Sequence, residues 1–201
     1  MMENNGSRPR RIVFITGGAR SGKSRYAQEM ALQLSPHPVY VATARHWDGD
    51  FGERIRRHQK DRDDRWTSIE EEKHLSRLDL AGKVAVIDCI TLWLTNFFID
   101  TREDIEASLE ACKKEMEALS KPPIPDQSMP DQLISGQLIS EQDTVLIIVS
   151  NEIGMGVHAE TESGRKFTDL QGWMNQYIAQ LAEEVILMVS GIPMVIKSAA
   201  R

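Results

Sequence analysis

The chain has few cysteines, no long hydrophobic run and no extended lysine or arginine run. Its two cysteines, Cys89 and Cys112, lack metal-ligand spacing, which is typical of reduced thiols in a cytosolic protein. The longest apolar stretches, residues 145–149 and 185–189, are far shorter than the ~20 residues that a membrane span needs. A net charge of −6 without a lysine or arginine run argues against nucleic-acid binding. We therefore expect a cytoplasmic protein whose partners are small molecules.

Short apolar, β-branched runs alternate with helical patterns along most of the 201 residues. This alternation predicts a single α/β domain with a three-layer fold and a mainly parallel sheet. Strands are predicted at residues 12–16, 39–43, 84–88, 145–150, 185–189 and 194–197, and helices at 23–34, 51–61, 69–78, 104–119 and 165–183. The last two strands are joined by residues 190–192 alone, which predicts an antiparallel hairpin at the C-terminal edge of the sheet.

Two segments lie outside this pattern. Residues 1–10 are polar and predict a disordered leader. Residues 120–143 contain four prolines and a repeated Gln-Leu-Ile-Ser sequence, so they predict an exposed insertion between a helix and a strand.

A glycine-rich motif lies between the first predicted strand and the first predicted helix. Residues 17–24 match G-x-x-x-x-G-K-[ST], a turn whose backbone N–H groups converge on a polyphosphate. Lys23 would neutralise the β and γ oxygens, and the Ser24 hydroxyl would ligate Mg²⁺. The sequence therefore predicts a P-loop NTPase-like fold that binds a nucleoside triphosphate through Gly17, Gly18, Ala19, Arg20, Ser21, Gly22, Lys23 and Ser24.

Three more polar positions follow predicted strands, at the edge where an open α/β sheet binds its ligand. Asp88 comes directly after four apolar residues and could orient Mg²⁺ or, alternatively, cap a helix that begins near residue 90. Arg45 could contact phosphate or base, or lie in solvent. Glu152 lies in the turn Asn-Glu-Ile-Gly-Met-Gly at 151–156, whose glycines a plain turn explains but whose carboxylate it does not.

Residues 54–66 form a charge-dense segment around His58. Such a helix is ordinarily a solvated face. A neutral imidazole is also a competent nucleophile toward phosphorus, and Arg54, Arg57, Lys60 and Arg62 could stabilise phosphate charge beside it. Composition alone does not choose between these two interpretations.

Five short sequence motifs follow one another along the chain, and their order matters as much as their residues. They are Gly-Gly-Ala-Arg-Ser-Gly-Lys-Ser-Arg at 17–25, Arg-Ile-x-x-His at 54–58 with Arg62 and Trp66, Asp-Cys-Ile-Thr-Leu-Trp-Leu-Thr-Asn at 88–96, Asn-Glu-Ile-Gly-Met-Gly at 151–156 and Val-Ser-Gly at 189–191. Together they resemble the bifunctional adenosylcobinamide kinase/adenosylcobinamide-phosphate guanylyltransferase family of cobalamin biosynthesis. The resemblance extends over residues 11–197.

The resemblance implies that the chain phosphorylates adenosylcobinamide with ATP or GTP and then transfers GMP from GTP to adenosylcobinamide phosphate. It implies that His58 is catalytic and holds GMP covalently. The P-loop chemistry adds Lys23 as a second catalytic residue, with Ser24 and Asp88 as the Mg²⁺ ligands. The resemblance also implies a homotrimer. Besides residues 17–24, the implied nucleotide site contains Thr43, Ala44, Arg45, Gln59, Lys60, Asp61, Arg62, Glu70 and Asp88.

The chain departs from the family pattern in two places. Many members have Arg-Pro where this chain has Arg62-Asp63, which leaves the segment after His58 less rigid, and the insertion at 120–143 is longer than expected. The P-loop is also compatible with two other functions: a monofunctional P-loop small-molecule kinase in which His58 is structural, and a nucleotide-binding switch module. The sequence has no Asn-Lys-x-Asp motif, which disfavours a guanine-specific switch.

Overall fold

The computed structural model describes residues 10–45, 63–121 and 143–198. These residues form a seven-stranded sheet in the order β3-β2-β4-β5-β1-β6-β7, in which all neighbouring strands are parallel except β6 and β7. The strands are β1 (Arg11–Gly17), β2 (Val39–Ala42), β3 (Thr67–Glu70), β4 (Val84–Asp88), β5 (Val145–Val149), β6 (Glu184–Val189) and β7 (Ile192–Lys197).

Within the described ranges, four α-helices connect these strands: α1 (Lys23–Leu34), α2 (Ile90–Asp100), α3 (Ile105–Ser120) and α4 (Glu162–Leu181). Short 3₁₀ turns cover Leu75–Arg77 and Ile153–Met155. Side chains cap two of the helices, since Asp104 accepts from the Ala107 amide of α3 and Thr161 from the Gly164 amide of α4.

The central strands are buried on both faces, so alternate residues of each strand enter two different cores. In β1, Ile12 and Phe14 pack on the side covered by α2, α3 and α4. Val13 and Ile15 pack on the opposite side, against Ala27 of α1 and its neighbours. The predicted three-layer α/β fold with a mainly parallel sheet is confirmed.

The predicted helix at 69–78 is wrong. Residues Thr67–Glu70 instead form the edge strand β3, which pairs in parallel with β2, and only Leu75–Arg77 has a helical turn. The amide of Thr67 donates to Pro38 O at 3.1 Å and that of Glu71 to Ala42 O at 3.0 Å. Tertiary pairing with an existing sheet edge outweighs local helical preference here.

The helix α2 was anticipated only as the segment that Asp88 would cap. Its sequence, Ile-Thr-Leu-Trp-Leu-Thr-Asn-Phe-Phe-Ile-Asp, is apolar on most sides. Helices of this kind are buried, and Ile90, Trp93, Leu94, Phe97 and Phe98 all lie in the core.

The predicted C-terminal hairpin is confirmed, with a tighter turn than expected. Ser190 and Gly191 alone connect β6 to β7, with φ angles of 52° and 84°. Two positive φ angles give the turn that suits the twist of a two-residue hairpin.

Several predictions fall outside the described residues. They concern the disordered leader, the helix at 51–61 and nearly all of the insertion at 120–143. The division into a single domain also stays a prediction. Among the described helices, none is long and apolar enough to cross a membrane.

Candidate nucleotide site

The glycine-rich motif forms the turn between β1 and α1, as predicted. Gly17 ends β1 with φ 145°, and a Cβ there would lie 2.4 Å from the carbonyl oxygen of Met188 on β6. Gly22 precedes α1 with φ 95°, so both positions need glycine. The turn exposes Gly18, Ala19 and Arg20 at the end of the strand.

Lys23 lies over this turn instead of extending into solvent. Its side chain is buried, and Nζ donates to Gly18 O at 2.5 Å and to Ser21 Oγ at 3.4 Å. The Gly191 amide of the β6–β7 turn donates to Ser21 O at 2.9 Å. This hydrogen bond joins the C-terminal hairpin to the glycine-rich turn. Ser24 follows in the first turn of α1, half-buried.

The carboxyl ends of the parallel strands bring the other candidate residues to the same edge of the sheet. In register, Glu70 of β3 lies beside Ala42 of β2, and Ala42 lies beside Asp88 of β4. Asp88 is next to Val149 of β5, which neighbours β1 and the glycine-rich turn. Thus β5 is the strand that separates the glycine-rich turn from Asp88.

Asp88 is half-buried at the end of β4, and the peptide bond to Cys89 is cis. Its Oδ2 accepts from the hydroxyl of the buried Tyr40 at 2.8 Å. The alternative in which Asp88 caps α2 is wrong, because Cys89 is the N-cap residue and no side chain caps that end. Tyr40 itself packs edge-on against Trp66, with ring centroids 6.1 Å apart.

Thr43 and Ala44 follow β2 at this edge. Thr43 is fully buried, and its hydroxyl donates to Cys89 O at 2.7 Å. The Asn96 amide on α2 donates to Thr43 O at 2.9 Å and to Glu72 O at 3.0 Å. The side chain of Thr43 is therefore part of the scaffold that joins β2 to α2.

Arg45 belongs to a cluster of ion pairs and is not a solvent-exposed loop arginine. It donates twice to the Asp100 carboxylate, at 2.9 and 3.0 Å, and once to Glu72 at 2.7 Å. Lys73 adds a third donor to Asp100, at 2.8 Å. The Arg45 and Lys73 hydrogen bonds hold the pKa of Asp100 well below its usual range, and the bonds to Asp100 and Glu72 raise the pKa of Arg45.

Glu152 lies beside the glycine-rich turn, directly after β5. Its amide donates to Gly17 O at 3.0 Å. Its carboxylate oxygen Oε1 accepts from the Thr16 hydroxyl at 2.6 Å and from Asn175 Nδ2 at 3.0 Å. These contacts join the end of β1, the end of β5 and α4.

A buried polar network extends from Glu152 into α4. Asn175 Oδ1 accepts from Ser150 Oγ at 2.7 Å and from Gln171 Nε2 at 3.0 Å, and Gln171 also donates to Ser150 Oγ at 2.8 Å. Asn175 Nδ2 donates in addition to Asn151 O. Buried polar groups with this many partners fix one side-chain arrangement.

Comparison with known proteins gives a match over nearly the whole chain. The model of the family described as cobinamide kinase/cobinamide phosphate guanyltransferase matches residues 13–196. The chain belongs to this family. It is 36% identical to the bifunctional adenosylcobalamin biosynthesis protein CobP of Pseudomonas aeruginosa, over 92% of this chain and 96% of that protein. It is 32% identical to the corresponding CobU protein of Escherichia coli, over 92% of this chain and 99% of that protein.

Among solved structures, the chain is similar to the flagellar accessory protein FlaH of Methanocaldococcus jannaschii, at 14% identity and a TM-score of 0.43. That match covers 97% of this chain and 82% of the other, and at this score it carries no argument about function. Membership of the cobinamide kinase/cobinamide phosphate guanyltransferase family confirms the resemblance read from the sequence. The chain is a transferase of cobalamin biosynthesis.

The resemblance assigns guanylyl transfer to the segment around His58. Residues 46–62, and with them His58, Gln59, Lys60, Asp61 and Arg62, lie outside the described residues. Glu70, described at the end of β3, is exposed. The predicted roles of all these residues stay predictions.

Both cysteines have thiol pKa values raised above the ordinary value. Cys89 and Cys112 are both free thiols. Burial, together with the neighbouring Asp88 charge, raises the pKa of Cys89 to about 12, and burial raises the pKa of Cys112 as well. The thiolate, which is the reactive form, is therefore scarce near neutral pH.

Sequence reasoning missed three residues of this site: Tyr40, Asn96 and Asn175. Each is a polar side chain in an otherwise apolar context, on β2, α2 and the buried side of α4. That contrast was the available signal, because a buried polar group must find a partner. The identity of the partner depends on which elements become neighbours.

Proposed function

We propose that the chain carries out both steps of its family on adenosylcobinamide. The kinase step transfers the γ-phosphoryl group of ATP or GTP to the aminopropanol hydroxyl. The second step transfers GMP from GTP to the new phosphate, giving adenosylcobinamide-GDP and pyrophosphate. The observation that carries this proposal is the complete glycine-rich turn at 17–24 inside a family match over residues 13–196.

The nucleotide is held at the carboxyl edge of the sheet. Backbone N–H groups of the turn bind the phosphates, and Lys23 leaves Gly18 O to neutralise the β and γ oxygens. Thr43, Ala44, Arg45, Glu70, Asp88 and residues 59–62 complete the nucleotide site. This part of the proposal is supported by the common edge at which Gly17, Ala42, Glu70 and Asp88 end their strands.

Mg²⁺ would be held by Ser24 and Asp88. The donor set fits this ion, because Mg²⁺ prefers oxygen ligands and is usually bound by one or two protein groups together with substrate phosphates. When bound, it would neutralise charge on the phosphates during transfer. Tyr40 donates to Oδ2 of Asp88 and so orients the carboxylate.

His58 acts as the nucleophile of the guanylyltransferase step. A ring nitrogen attacks the α-phosphorus of GTP, a nitrogen–phosphorus bond forms, and pyrophosphate leaves with the electron pair of the broken bond. A phosphate oxygen of adenosylcobinamide phosphate then attacks the same phosphorus and displaces His58. The covalent intermediate divides one difficult displacement into two easier ones.

We further propose a cytoplasmic homotrimer. Self-association is supported by the exposed apolar residues of the edge strand β7, Ile192, Met194, Val195 and Ile196. Light scattering coupled to size-exclusion chromatography measures the oligomeric state, and a mass of one or two chains at micromolar concentration contradicts the trimer.

The test of the proposed function is covalent labelling with GTP that carries radioactivity at its α-phosphate. Wild type should retain label after denaturation, stable to base and lost in acid, as expected of a phosphoramidate. His58→Ala should retain none. The matched control is His37→Ala, because His37 is exposed between α1 and β2, at the opposite edge of the sheet, and should label like wild type.

Two outcomes would contradict parts of the proposal. Absence of label from wild type that still binds GTP and phosphorylates adenosylcobinamide would leave a monofunctional kinase. Equal labelling of wild type and His58→Ala would place the guanylyl group on another residue.

A further inference from the structure

The two oxygens of the Glu152 carboxylate differ in their contacts: Oε1 is held by hydrogen bonds, and Oε2 is not. Oε1 accepts from Thr16 and Asn175, at 2.6 and 3.0 Å. Within the described part of the chain, Oε2 has no hydrogen-bond donor, and it is not among the buried unpartnered atoms, so it is open to solvent. The carboxylate therefore has one oxygen that a bound ligand could reach.

The Glu152 carboxylate lies at the edge of the sheet where the proposed nucleotide site is. It follows β5, the strand between β1, which ends in the phosphate-binding turn, and β4, which ends in Asp88. The Glu152 amide donates to Gly17 O, and the carboxylate accepts from Thr16, the residue directly before the glycine-rich turn. An acceptor alcohol that attacks a γ-phosphate held by the turn must approach from this edge.

The network behind Glu152 sets its orientation. Ser150 and Gln171 both donate to Asn175 Oδ1, at 2.7 and 3.0 Å, so the Asn175 amide can present only its NH₂ group to Glu152. Gln171 and Asn175 are both buried in α4. A side chain held in this way is preorganised, which is what a catalytic group requires.

We propose that Glu152 is the general base of the kinase step, an inference that depends on the proposed function. The aminopropanol hydroxyl donates its proton to Oε2 while its oxygen attacks the γ-phosphorus of ATP. A new oxygen–phosphorus bond forms, and the bond from the γ-phosphorus to the β–γ bridging oxygen breaks. ADP leaves with that electron pair, and the proton passes from Oε2 to solvent. Asn175 and Thr16 are positioning residues.

The decisive variant is Glu152→Gln, because its amide oxygen still accepts from Thr16 and Asn175 while the group in place of Oε2 can no longer accept a proton. General bases contribute ~10²–10⁴-fold, so kcat of the kinase step should fall at least ~100-fold. The KM for ATP should change by less than ~3-fold, a bound we set because the carboxylate touches the acceptor and not the nucleotide. The matched control is Glu160→Gln, an exposed glutamate before α4, which should match wild type.

The second activity of the protein separates a base from a structural link. Guanylyl transfer to adenosylcobinamide phosphate uses an acceptor that is already an anion, so this step needs no general base. In Glu152→Gln the ratio of the kinase rate to the guanylyltransferase rate should therefore fall together with the kinase kcat. Glu152→Asp, which restores the carboxylate, should recover part of the rate.

Each opposing result overturns the assignment. A Glu152→Gln variant with a kinase rate near wild type shows that no base acts there. Equal loss of both activities shows a purely structural carboxylate. If wild type transfers GMP but does not phosphorylate adenosylcobinamide, the kinase half of the proposed function fails and this inference fails with it. Normal wild-type kinase activity with an active Glu152→Gln variant removes only the inference.

Discussion

Replacing Gly17 by alanine tests the packing of the glycine-rich turn against β6. An alanine Cβ would lie 2.4 Å from Met188 O, whereas real Cβ atoms essentially never approach within 3.0 Å, so the two groups must separate by about 0.6 Å. The obstacle is backbone that pairs with Gly17 in the sheet and cannot rotate away. A φ of 145° adds strain, because L side chains rarely adopt it.

We expect the substitution to cost about 2–6 kcal/mol, from backbone strain and overpacking of about 1–3 kcal/mol each. For a chain of this size that lowers Tm by about 4–24 °C. Urea unfolding followed by circular dichroism measures the loss, and an unchanged m value would show that the unfolding transition itself is the same.

Gly18→Ala is the control, because a Cβ at Gly18 meets nothing within 4 Å. Its free energy of unfolding should stay within about 0.5 kcal/mol of wild type. Equal stability of the Gly17 and Gly18 variants, at either level, would refute the argument that β6 backbone excludes a side chain at Gly17 specifically.

Two further predictions concern the hydrogen-bond partners of Asp88 and Arg45. Tyr40→Phe removes the donor to Asp88, so the Mg²⁺ concentration that half-saturates the kinase should rise about 10-fold; an unchanged Mg²⁺ titration would contradict a metal role for Asp88. Asp100→Asn removes a carboxylate whose pKa the Arg45 and Lys73 hydrogen bonds hold below its usual range. Such a group stabilises the fold above its unfolded pKa of about 3.9 and loses that effect as the pH falls toward the folded value. The Tm difference from wild type should therefore be largest near pH 7 and shrink below about pH 4, and a difference independent of pH would show that charge is not its cause.

Local patterns were sufficient to predict the elements that form the floor of the site. The apolar run of β1, the glycines at 17 and 22 and the helix start at Lys23 are consecutive in sequence, and each follows from backbone sterics or burial alone. The same holds for Asp88, since a carboxylate after four buried residues marks a strand end.

The errors arose where tertiary contacts decide. Among the described strands, β3 is a four-residue edge strand that pairs with β2 alone, and in isolation its sequence, Thr-Ser-Ile-Glu, gives no clear period. The apolar α2 has no strong amphipathic pattern because the core surrounds most of it. Arg45 could be assigned to solvent or ligand from sequence, but not to Asp100, which is 55 residues away along the chain.

The contacts of Glu152 show why a site is harder to predict than a fold. Its hydrogen-bond partners Thr16 and Asn175 are 136 and 23 residues away, and they meet only because β5 inserts between β1 and β4 while α4 packs beneath them. Strand order is set by pairing over the whole chain. The sequence pattern therefore predicted the edge of the sheet at which Glu152 lies, but it could not predict that Glu152 lies next to the glycine-rich turn. Once the strand order is known, the burial of Gln171 and Asn175 in α4 is explained by their hydrogen bonds to residues at the end of β5. These two side chains hold the Glu152 carboxylate at the end of β5, between the glycine-rich turn and Asp88, which is the position that the proposed general base of the kinase step requires.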